Sequence, residues 1–178
     1  VLQHSITYAL IELADVNATS AGLSNKAPGT RAAALVALDQ MPGGRIDPQQ
    51  VITLPDSKDE TLRYAARWLV ARHTDWGGQL SDWFRNQLAA LPDELVVTDQ
   101  PPIGQGVEKM LAEFAVDPAI QELLVQTLID ANSPAAAKQV VLRAMEQAKL
   151  SELPPAWRGA LAEIIDRGEE NLISLAIA

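Results

Sequence analysis

Apolar residues in this chain return at the spacing of a single helix face, in one segment after another. Leu62, Ala65, Ala66, Leu69 and Val70 follow the i, i+3, i+4, i+7, i+8 template of an amphipathic helix. Leu80, Trp83, Phe84, Gln87 and Leu88 repeat it with one polar intruder, and Val107, Met110, Leu111, Phe114 and Ala115 repeat it again. Ile120, Leu123, Leu124, Thr127 and Leu128 follow, then Ala137, Val140, Val141, Ala144, Met145 and Ala148, and finally Trp157, Ala160, Leu161, Ile164 and Ile165. Leu2, Ile6, Ala9, Leu10 and Leu13 give a first stripe near the beginning. Such a pattern predicts an all-α fold.

Helix-end signals fall where the periodicity needs them. Asp47-Pro48, Asp117-Pro118 and Ser133-Pro134 each put a capping side chain before a proline suited to the first turn. Ser57-Lys58-Asp59-Glu60 reads as a capping box for a helix reaching about His73. Aromatic residues make up only 4% of the chain while alanine is abundant, which favours closely packed helices over a sheet core. The extended-looking run is "ELVVT" at 94–98, followed by "DQPPIGQG".

Whether such helices close into a bundle or stack as hairpins depends on internal repetition. "RAAALVAL" (31–38) lies over "RYAARWLV" (63–70) at an offset of 32 residues, matching Arg31 to Arg63 and Ala33-Ala34 to Ala65-Ala66. "SPAAAKQVVLRAM" (133–145) is a third, degenerate copy without the arginine. The repetition predicts an α-solenoid of about four to six antiparallel helical hairpins, HEAT-like and ARM-type in character, spanning 1–178 as one domain.

Several function classes are disfavoured. Fourteen basic against 23 acidic residues leave a net charge of −9, which argues against a general nucleic-acid binder. The chain has no cysteine, hence no disulfide, thiolate zinc site or CxxCH haem attachment. No stretch approaches the roughly 18 apolar residues of a membrane span. A start at Val1 with "VLQHSITYAL" reads as a piece excised from a longer protein.

Reactive chemistry is equally sparse. His4 and His73 are the two histidines, without the neighbouring carboxylates a metal site needs; His73 ends a helix, where imidazole suits the dipole. Glu12/Asp15 and Glu169/Glu170 read as solvated faces. "GQGVEK" at 104–109 lacks the spacing of a phosphate loop and reads as turn glycines opening a helix. Ser5, Ser81 and Ser133 have no nucleophile-elbow context. No catalytic residue, metal or cofactor is expected.

A series of phrases in fixed order carries a family resemblance: "HSITYALIELAD", "TSAGL", "TRAAALVALDQMPGGRIDPQQVITL", "TLRYAARWLVARHTDWGG" and "LRAMEQAKLSELPPAW". Together they resemble the HEAT-repeat region of the large exported proteins of Planctomycetes described as PVC-type haem-binding or "membrane-bound dehydrogenase" proteins. The resemblance runs from residue 1 to about residue 160, where the last of these phrases ends. It implies an exported parent in which a β-propeller precedes the helices and a cytochrome c module follows. Neither module is in this chain, so no catalytic or haem-binding residue carries over.

The candidate surface is one of contact. Arg31 and Arg63 recur in register, either bracing adjacent repeats or forming a ladder of cations toward a partner's carboxylates. "LRYAARWLVARHTDWGG" gathers Tyr64, Arg67, Trp68, Arg72, His73 and Trp76, and Tyr64, Trp68 and Arg72 share one flank at i, i+4, i+8. Aromatics beside arginine suit both hot spots and hairpin packing. The leading expectation is a non-catalytic scaffold that spaces or docks redox domains of the same polypeptide. The alternative is a protein- or peptide-binding solenoid using its concave face. A lyase-like or DNA-repair enzyme ranks below both, and a basic, aromatic-lined groove would be needed to revive its DNA version.

Overall fold

The computed structural model describes residues 2–93 and 105–168, with 172 and 176. Every regular element among them is helical, as the periodicity requires. The "ELVVT" run, the rest of 94–104, and Glu169 and Glu170 lie outside the described residues. Among the described residues no helix is long and apolar enough to cross a membrane. The chain divides into two compact units, Val1–His73 and Thr74–Ala178.

The first unit is built around α3 (Pro28–Gln40), flanked by α1 (Leu2–Leu13) on one side and α5 (Glu60–Arg72) on the other. Short helices fill the connections: α2 (Val16–Ala21) with the 3-10 turn Gly22–Ser24 packs on α3, and α4 (Pro48–Val51) with Leu54–Asp56 packs on α5. Because α3 has neighbours on both sides, it is apolar nearly all round: Ala32, Ala33, Ala34, Leu35, Ala37 and Leu38 are all buried. Alanine at the contact lets the helix axes approach closely. Leu10, Ile11, Val16, Leu23 and Ile46 close the core over Ala37, Leu38 and Met41.

Two local expectations shift. The cap of α5 is Asp59, whose Oδ1 accepts from the Leu62 amide at 3.0 Å, while Ser57 Oγ accepts from the Asp59 amide at 3.2 Å. The helix therefore opens two residues later than a box on Ser57 requires. The α1 stripe also differs: Leu10 and Ile11 face the core, whereas Ile6 is 48% exposed and Leu13 76%. Helix α1 has two apolar faces, and one of them meets α3.

The second unit contains α6 (Gly77–Ala89), α7 (Gln105–Phe114), α8 (Pro118–Ile129), α9 (Ala135–Gln147) and α10 (Pro155–Asp166). Helix α6 packs on α7 and α8 on α9, while α6 meets α8, α7 meets α9, and α8 meets α10. Alternate helices thus form two rows, α6–α8–α10 and α7–α9. Phe84 and Phe114 meet edge-on, their ring centroids 5.8 Å apart, and join α6 to α7.

Asp117 joins the first pair of helices in the long row. Its Oδ1 caps α8 through the Ala119 amide at 2.8 Å, and its Oδ2 accepts from the Gly78 amide in α6 at 3.0 Å. Gly77 makes this approach possible, since a Cβ there would lie 2.5 Å from the Asp117 Cβ. The Ser133 cap is absent: Pro134 occupies the cap position without a side-chain bond, and the helix begins at Ala135.

Candidate docking groove

Helices α1, α3 and α5 of the first unit line an open groove of about 790 Å³. Buried Ala32, Ala33 and Ala65 form its floor, with half-buried Val36 beside them. Tyr64 and Trp68 make the α5 wall, and His4 and Thr7 stand on α1. Glu60, Thr61 and Gln40 supply polar groups. The floor follows from the alanine pairs that also carry the internal repeat.

Helical spacing on α5 sets the wall. Tyr64 is 75% exposed and Trp68 half-buried. The Arg72 guanidinium lies 4.6 Å from the Trp68 ring centroid, a cation–π contact. Its Nε is also 3.1 Å from Asp39 Oδ2, and His73 Nε2 lies 2.5 Å from Asp39 Oδ1. The Asp39 side chain is only 3% exposed, so its charge is held almost wholly by these two residues of α5's end. Asp39 on α3 therefore fixes Arg72, and Arg72 fixes the Trp68 ring.

The other sequence candidates lie elsewhere. Arg63 Nη1 donates to the Ser57 and Lys58 carbonyls at 2.8 and 2.9 Å, bracing the turn ahead of its own helix. Arg67 Nη2 reaches the Pro55 carbonyl at 3.5 Å. Arg31 is half-buried and lines a separate recess of about 250 Å³ with Leu23, Ser24, Leu35, Gln50 and Leu54. None of these three cations lines the groove; Arg63 and Arg67 bond to the segment ahead of α5, and Arg31 faces a different recess. Trp76 is buried in the 3-10 turn Thr74–Trp76 that opens the second unit.

Asp39 escaped sequence reasoning because its partners lie 33 and 34 residues away and no local pattern links them. Glu108 escaped for the same reason. It is 5% exposed on α7, bonded through Oε1 to Gln147 Nε2 at 2.5 Å, with Arg143 Nη1 3.9 Å from its Oε2. These are contacts between α7 and α9, which makes the buried carboxylate a link between two helices. Titration is clearly displaced upward at Tyr8, through its hydrogen bond to Glu12, and at Glu113, through burial offset by Lys149. Neither residue lines the groove.

A second recess, of about 470 Å³, is almost wholly apolar and runs from Ile6 and Leu10 of α1 to Ala33 and Ala34 of α3. Among the described residues no group of three or more His, Asp or Glu side chains is placed to hold a metal ion. Among its described lining residues the groove offers an alanine floor, aromatic surface and the Glu60 carboxylate. No protein-family model matches the chain, and no curated protein or solved structure matches it either.

Proposed function

We propose that this chain is a non-catalytic helical-repeat scaffold whose first unit docks a segment of a partner protein in the α1–α3–α5 groove. The observation that carries the reading is the combination of an alanine floor with an aromatic wall, the exposed Tyr64 and the half-buried Trp68, the latter held by the Asp39–Arg72 pair. Large aromatic side chains supply contact area at small entropic cost, and small floor residues admit a partner's apolar side chains. We read each unit as a stretch of stacked hairpins of the HEAT-like, α-solenoid kind. Packing of every second helix within each unit supports that reading.

The resemblance to the helical region of the exported planctomycete proteins supplies a context: the partner segment would belong to a neighbouring module of the same polypeptide or to an associated protein. Nucleic acid is a poor candidate for this groove, because among the described residues no lysine or arginine lines it and a glutamate does.

Panning a displayed library of random peptides against the intact chain tests the docking face. Peptides selected on the wild-type chain should fail to bind the double variant Tyr64→Ala/Trp68→Ala, while that variant keeps its helical circular dichroism. Selected peptides that bind the variant as well as the wild type would place the binding face elsewhere.

A further inference from the structure

We propose that the groove accepts a basic, amphipathic segment of a partner protein, seating one arginine or lysine between the Glu60 carboxylate and the exposed ring of Tyr64. This inference rests on the groove being a docking face. Glu60, Tyr64 and Trp68 follow one another at i, i+4, i+8 along α5 and line the same groove. Among the described residues, Glu60 is the acidic residue of that lining, no lysine or arginine accompanies it there, and no cation pairs with it.

The same helix already shows the chemistry one turn further on. Arg72 lies over the Trp68 ring and pairs with the Asp39 carboxylate, so one guanidinium satisfies both an aromatic face and an anion. Tyr64 and Glu60 present the same two elements, an aromatic face and a carboxylate, with no cation of the chain's own upon them. A partner's arginine or lysine completes the pattern, and its flanking apolar residues rest on Ala32, Ala33 and Ala65.

Charge complementarity favours this occupant over others. Among the described residues, the groove's lining holds the Glu60 carboxylate and no lysine or arginine, so its local charge suits a basic segment. An acidic segment would meet Glu60 without any lining cation to offset it.

The panning experiment above, extended to Glu60→Gln, separates this assignment from the docking reading. The substitution is near-isosteric, and its fold is checked by an unchanged thermal melt. Peptides selected on the wild type should carry an arginine or lysine flanked by apolar residues at helical spacing. Their synthetic forms should bind E60Q about ten-fold more weakly than wild type, and more weakly again as salt is raised. Replacing the peptide's basic residue by glutamine should abolish the difference between the two proteins. Peptides that need Tyr64 and Trp68 but are uncharged or acidic, or bind E60Q equally, overturn the cation assignment and leave the docking face standing. Absence of any enrichment, or enrichment indifferent to Tyr64 and Trp68, overturns both.

Discussion

At the scale of single residues, Asp39 does the most for the groove without touching it. Its buried carboxylate accepts from Arg72 and His73 and so ties the end of α3 to the end of α5. Asp39→Ala should cost about 2–3 kcal/mol in urea unfolding, because it strands two charge-assisted hydrogen bonds at a buried position. Arg72→Ala should cost less than about 1 kcal/mol, since that side chain is half exposed and its loss leaves Asp39 with His73. Equal costs for the two variants would mean that Asp39 acts through Arg72 alone. The wall itself was legible: a period of four on α5 aligns Tyr64, Trp68 and Arg72 without any structure. Its anchor was not, because a pairing across 33 residues depends on which helices become neighbours. Proximity in sequence was also misleading for Trp76, which belongs to the next unit.

Among the helices, the apolar stripes read from sequence are buried as a rule; Ile165 at the end of the α10 stripe is 41% exposed, and α1 departs furthest. Its stripe through Ile6 and Leu13 is exposed because one neighbour, α3, covers a single side of the helix, through Leu10 and Ile11. Periodicity alone cannot tell which of two apolar faces will find a partner. Capping was legible where aspartate precedes proline, at Asp47 and Asp117, and not where serine does. The reason is local: Pro134 takes the cap position itself, leaving Ser133 a residue too early. Asp117→Ala should therefore destabilise the chain by about 1–2 kcal/mol, since it removes the α8 cap and the bond to Gly78 in α6. Ser133→Ala should stay within about 0.5 kcal/mol of wild type. Denaturant melts of the two variants side by side distinguish a true cap from an apparent one.

Across the whole molecule, charge is divided unevenly between the two units. Val1–His73 holds seven basic and seven acidic residues, whereas Thr74–Ala178 holds seven basic and sixteen acidic, so the entire −9 belongs to the second unit. The groove thus sits in a unit without net charge, where one glutamate can set the preference of the wall. The all-α class was readable from the first stripes onward. The groove was not, because it needs α1, α3 and α5 together. Its role is tested most directly by recording amide NMR spectra of the isotope-labelled intact chain while a panned, arginine-bearing peptide is added. Docking in the groove predicts that the perturbed amides cluster on α1, α3 and α5, largest around Glu60, Tyr64 and Trp68. Perturbations concentrated on α6 to α10, with α5 unmoved, would contradict it.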